Sequence, residues 1–221
     1  MKNSKEYAQR LQKLYRGLKR AQPKVERVAY DDPAEALIYG IIHERMNESA
    51  AHRAIKGLRS AFVDWNDLRV SRVEEVVEAL GEDTPASRTA AVSLTSALKD
   101  IFDEYHKVSL QALKTQGKRP ARQCLERFEG VTPFVVNYCL LTALQAHAVP
   151  LTDDMVAYLK QHKLIETNAD PEDIEGFLTR QIAAKDAFEF YALLRRESES
   201  GKKTRAARGK TRPSAGSTAR K

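Results

Sequence analysis

Along the first 200 positions apolar residues recur three and four apart, and no window alternates apolar with polar residues between turn signals as a half-buried strand would. That spacing gathers the apolar side chains on one face of a helix and restricts the chain to an all-α fold. Tyr7, Leu11, Leu14, Tyr15 and Leu18 form one stripe, with Lys and Arg on the opposite face. "DDPAEALIYGIIHERM" begins with an Asp cap and with Pro33 in the first turn, then continues as an apolar run expected to be buried all round. Further helices are expected at about 49–62, 72–80, 85–105, 119–129, 133–146, 153–163, 171–180 and 182–196. Caps or Pro starts stand at Thr84-Pro85, Pro120, Thr132-Pro133, Asp153 and Asp170-Pro171. Short connections between many helices imply a compact multi-helix bundle, and no segment repeats at a fixed period.

With 221 residues, 42% of them hydrophobic, the chain is long enough to bury a sizeable core. No run of about 18 apolar residues is present, and the N-terminus alternates charge with hydrophobe, unlike a signal peptide. The expectation is a monomer with no membrane partner, in the cytoplasm: on the nucleoid in a bacterium, in the nucleus in a eukaryote. Cys124 and Cys139 fall among apolar neighbours as ordinary core residues, and no CxxC occurs. The five histidines show no HExxH pairing, so no metal and no cofactor is expected.

The net charge of +7 is unevenly placed. Residues 201–221 carry eight Lys and Arg and no acid, and residues 1–27 carry nine basic and two acidic side chains, which leaves −8 for residues 28–200. A tail without aromatic residues or Leu, Ile or Val is expected to be a disordered basic arm suited to polyanions, with Lys202, Lys203 and Arg205 as candidate DNA contacts. A solubilising tail with no specific partner is the plainer reading. The expected organisation is a basic amphipathic N-terminal helix over 1–27, a helical domain over 28–200 and the tail over 201–221.

"FEGVTPFVVNY", residues 128–138, reads as the turn of a helical hairpin. Leu125 and Phe128 end one helix on its apolar face, Gly130 permits a positive φ or a close approach, and Thr132-Pro133 starts the next helix. Such a turn is expected to leave backbone N–H groups unpaired at the positive end of a helix dipole, a seat for one phosphate. Downstream, "AVPLTDDMVAYLKQHKLI" brings two aspartates to the start of another amphipathic helix.

Taken together, "LERFEGVTPFVVNYCLLTALQAHAVPLTDDMVAYL" resembles the helix-hairpin-helix and Gly/Pro-Asp region of the endonuclease III superfamily of DNA glycosylases. "DPAEALIYGIIHERMNESAAHRAIKGLRSAFVDWNDLRVSRVEEVVEALG" is similar to that family's N-terminal portion, and the resemblance spans about residues 30–165. It implies that Gly130, Val131, Thr132 and Pro133 grip a phosphate of double-stranded DNA and that an aspartate does the chemistry. In the family, apolar positions follow that aspartate by three and six. From Asp153 these are Val156 and Leu159; from Asp154 they would be Ala157 and Lys160, so Asp153 is the match. Its alternative role is a simple N-cap. The chain also departs from the family. The nucleophilic lysine of lyase-type members falls on Phe134, the second turn glycine on Thr132 and the base-replacing Gln on Arg45, and no four-cysteine cluster is present for an iron–sulfur centre.

The resemblance implies a monofunctional DNA glycosylase that hydrolyses the N-glycosidic bond of a damaged or mismatched base, without strong abasic-site lyase activity. A glycosylase-fold protein that only binds DNA, and an all-α interaction protein unrelated to DNA, are the alternatives.

Overall fold

The protein is described as a computed structural model over residues 4–210, with the side chains of 201–210 excepted. Eleven helices are present among the described residues and no strand: α1 Ser4–Ala21, α2 Pro33–Arg45, α3 Glu48–Ala61, α4 Trp65–Val70, α5 Val73–Leu80, α6 Pro85–Tyr105, α7 Lys118–Leu125, α8 Pro133–Thr142, α9 Asp153–Gln161, α10 Pro171–Gln181 and α11 Ala187–Lys210. The all-α expectation therefore holds, and α4 is a helix that the periodicity did not reveal. The basic tail falls largely outside the described residues. The helical backbone of α11 reaches Lys210, while residues 211–221 and the side chains of Lys202, Lys203 and Arg205 are not among those described.

The helix starts follow local chemistry. Pro33, Pro85, Pro133 and Pro171 each occupy a first turn, where the missing N–H costs nothing and the fixed φ suits a helix. Asp32 caps α2 through Ala34 N at 2.9 Å, and the same carboxylate accepts from Leu110 N and Ser109 Oγ, which pins the segment after α6 to the start of α2.

α2 and α8 are the two central helices. Each is buried nearly all round, and they cross at Gly40, where an added Cβ would lie 3.2 Å from Val135 Cγ1. α6 and α3 complete the sleeve around α2, while α11 packs on α1, α8 and α9. The C-terminal carbonyls of α2 are met by Arg195 of α11, which donates to His43 O at 2.7 Å and Met46 O at 2.6 Å, and also to Tyr191 and Glu199. This buried guanidinium fixes the end of α2, and hence the direction in which Glu44 and Arg45 leave it.

Candidate active site at the hairpin and the start of helix α9

The turn between α7 and α8 lies against α6. Gly130 has φ +76°, and a Cβ there would sit 2.8 Å from Ser93 Cα, so both the left-handed backbone and the close approach require glycine. Asp100, also on α6, accepts from Glu129 N at 2.7 Å. Val131 is half-buried, and its N–H donates to Phe128 O. Thr132 is the N-cap of α8, its Oγ1 accepting from Val135 N and donating to Glu44 Oε1 at 2.7 Å; Pro133 follows, exposed, as the first helical residue. Of the N–H groups in this turn, those of Glu129, Val131 and Val135 are taken up within the protein, while those of Gly130, Thr132 and Phe134 have no hydrogen-bond partner among the described residues. The first three are met by different acceptors: the Asp100 carboxylate, the Phe128 carbonyl and the capping hydroxyl of Thr132, where a second glycine would have left Val135 N open.

Asp153 is not the cap of α9. Thr152 is, through its Oγ1 and Met155 N at 3.3 Å, and Asp153 is the first residue of the helix, exposed, beside the positive end of its dipole. Leu159 and Met155 are both fully buried, and Val156 packs half-buried against the core.

Asp153 stands between two cavities. The smaller, about 330 Å³, also has Glu44, Arg45 and Asp154 in its lining, so the structure brings Arg45 and Asp153 to one place. Arg45 approaches Glu44 Oε2 at 3.5 Å without a hydrogen bond, and both Glu44 Oε2 and Arg45 Nε are buried with no hydrogen-bond partner among the described residues. The larger cavity, about 710 Å³, is open between the starts of α8, α9 and α10. Phe134, only 4% exposed, closes its inner side, and Asn137 stands one turn further along α8, its Oδ1 held at 2.7 Å by Arg122, which also pairs with Glu175. Phe134 stands at the position that the resemblance marked for the lyase lysine, whereas Glu44 and Asn137 were not identified as site residues from the sequence. Their common signal, polar or aromatic positions inside two apolar helices, is visible only when α2 and α8 are paired.

Behind Phe134 lies a third cavity of about 600 Å³, lined by Tyr30, Tyr39, His43, His52, Tyr138 and Tyr191 among others. Phe134 stacks on Tyr138 with ring centroids 6.1 Å apart and meets Tyr191 at 6.2 Å. The aromatic cavity shares no lining residue with the one that Phe134 lines. Burial, reinforced by the Arg195 guanidinium and by His52, lowers the His43 imidazole to about 3, so it is neutral at ordinary pH, and its Nδ1 has no partner among the described residues. Both cysteines are free and buried, and burial pushes the Cys139 thiol up. Among the described residues no group of His, Cys, Asp and Glu is arranged to hold a metal ion, and no helix is long and apolar enough to cross a membrane.

No family model and no curated protein matches the sequence. Solved structures do match the fold. Endonuclease III in a trapped covalent intermediate with DNA is 13% identical, with a TM-score of 0.66 over 88% of this chain and 85% of that one. The Clostridium acetobutylicum 8-oxoguanine glycosylase/lyase, in complex with double-stranded DNA containing cytosine opposite 8-oxoguanine, is 15% identical, with a TM-score of 0.67 over 90% of this chain and 71% of that one. The H. pylori 3-methyladenine DNA glycosylase bound to 1,N6-ethenoadenine is 15% identical, with a TM-score of 0.63 over 90% of this chain and 98% of that one. At such identities the likeness speaks for architecture, and the chain has the all-helical fold of the helix-hairpin-helix DNA glycosylases.

Proposed function

We propose that this protein is a monofunctional DNA glycosylase, hydrolysing the N-glycosidic bond of a base extruded from duplex DNA. The observation that carries the reading is the position of Asp153: an exposed carboxylate on an open cavity of about 710 Å³, large enough to admit a base, with Pro133 of the hairpin turn on the same rim and Arg45 across the adjoining cavity. In this reading Asp153 faces the sugar. Its negative charge stabilises the oxocarbenium character that develops as the base departs, and it takes the proton of the attacking water. Arg45 occupies the space left in the duplex, and the N-terminal helix and basic C-terminal arm supply sequence-independent affinity for phosphates. With Phe134 where lyase-type relatives have lysine, no Schiff base forms at that position. The test is base release from duplexes that each carry one modified base, with Asp153→Asn as the control that loses product but keeps binding.

A second reading, DNA binding without chemistry, is favoured by one observation. Phe134 stacks on Tyr138 and meets Tyr191, and the outer and aromatic cavities share no lining residue, so a base in the outer cavity meets none of the side chains of the aromatic one. Duplex binding combined with no release of any base, by wild type or variant, selects this reading.

A further inference from the structure

Glu44 and Arg45 are the last two residues of α2, and neighbours in a helix project about 100° apart, so contact between them is not a product of helix geometry. Yet Arg45 Nη2 stands 3.5 Å from Glu44 Oε2, which requires the arginine to bend back toward the carboxylate. The other oxygen, Oε1, accepts from Thr132 Oγ1 at 2.7 Å, and Thr132 caps α8. One side chain therefore has one oxygen on the hairpin and the other turned to Arg45. Glu44 Oε2 and Arg45 Nε are both buried without a hydrogen-bond partner among the described residues, so the two groups attract through charge alone. A hydrogen bond fixes a length and an angle; a charge pair without one restrains direction and still lets the guanidinium leave.

Arg45 lies between two cavities. One, of about 460 Å³, has Arg53 and Glu82 in its lining; the other, of about 330 Å³, has Asp153. Glu44 lines the second and not the first. Resting on the place given to Arg45 under "Proposed function", we propose that Glu44 is a positioning residue, which holds the Arg45 side chain on the Asp153 side of α2 before DNA arrives and is itself anchored by the cap of α8. Arg53, a like charge on the opposite side, acts in the same sense, and Glu82 opposes it. A long side chain that is already aimed has less freedom to lose when it enters the gap in a duplex, so the benefit of this arrangement appears in binding.

The experiment uses the full-length protein and its Glu44→Gln, Thr132→Val and Arg45→Met variants. Gln keeps an oxygen that can accept from Thr132 and removes the charge that faces Arg45, so Glu44→Gln should melt close to wild type. In the DNA-free protein, ¹⁵N relaxation of Arg45 Nε, assigned by its loss in Arg45→Met, should show an ordered side chain in wild type and a mobile one in Glu44→Gln. Thr132→Val, which removes the anchor and keeps the charge, should loosen Arg45 part of the way. Affinity is then compared for an intact duplex and for one holding a single stable abasic-site analogue. Wild type should prefer the second, Arg45→Met should lose the preference, and Glu44→Gln should reduce it by about threefold to tenfold. An Arg45 Nε as ordered in both Glu44→Gln and Thr132→Val as in wild type, or a preference that Glu44→Gln leaves unchanged, overturns the positioning role and leaves the glycosylase reading standing. A wild type that binds both duplexes alike removes Arg45 from the duplex, and this inference falls with it.

Discussion

Thr132 Oγ1 donates a 2.7 Å hydrogen bond to Glu44 Oε1, so the residue that caps α8 also ties it to the last turn of α2, 88 positions away. Both links end at one hydroxyl. Thr132→Val, which keeps the shape and removes the oxygen, should lower stability by about 1–2 kcal/mol, from loss of the cap and of one charge-assisted hydrogen bond. Thr132→Ser should recover most of it. Urea denaturation of the three proteins checks both statements.

Gly130 is the position in the hairpin with the least tolerance. Alanine there meets an unfavourable left-handed backbone and places Cβ within 3 Å of Ser93 Cα and Oγ on α6. Gly130→Ala should destabilise the protein by about 2–4 kcal/mol, seen as a fall in Tm, because the obstruction includes backbone that cannot rotate aside.

Cap and proposed catalyst occupy adjacent residues at the start of α9, so they can be separated by mutation. Thr152→Ala should cost about 1 kcal/mol of stability with base release slowed little. Asp153→Asn should change stability by only a few tenths of a kcal/mol, through the helix dipole, yet slow base release by about a hundredfold or more while duplex binding persists. Asp154→Asn is the neighbouring control. Full activity in Asp153→Asn, or a dead Asp154→Asn, would remove Asp153 from the proposed role.

Phe134 is buried against Tyr138 and Tyr191 and has no amine. Borohydride should therefore trap no covalent complex with abasic DNA on the helix that begins at Pro133. Peptide mapping of any trapped adduct decides this, and an adduct on α8 contradicts it.

His43 predicts a pH dependence of stability. Its imidazole is held down to about 3, first by burial, then by Arg195 and His52. The unfolded chain has the ordinary value near 6.5 and so binds the proton first as pH falls. Stability should be fully present above about pH 6.5 and be lost progressively as pH falls toward 3, with a slope of at most about 1.4 kcal/mol per pH unit from this group. Glu48 and Glu199 stand on neighbouring elements and Tyr138 stacks on the ring, so the comparison to make is with His43→Phe, in which this part of the slope should disappear.

The sequence by itself determined what is local. Helix starts at Pro33, Pro85, Pro133 and Pro171, the cap at Thr132, the reversal at Gly130 and the buried character of α2 and α8 all follow from chemistry within four or five residues, the range over which a helix makes its own hydrogen bonds. Helix ends that depend on distant partners lie away from where local periodicity puts them. α7 stops at Leu125 and α8 at Thr142, each short of its expected end, because the turn must fold Phe128 inward and Ala146 N returns to Leu140 O. α4, at six residues, is too short to show a period. The cap of α9 belongs to Thr152 because the helix enters one residue earlier than the aspartate pair suggests. Only the tertiary structure could decide that Glu44, Phe134, Asn137, Asp153 and Glu172, drawn from four helices, share one cavity, or that Arg195 would be buried to hold the end of α2. Periodicity fixes which face of a helix is apolar, but the rotation and crossing of one helix against another are set by packing between residues a hundred positions apart, and a cavity exists only where several such crossings leave space.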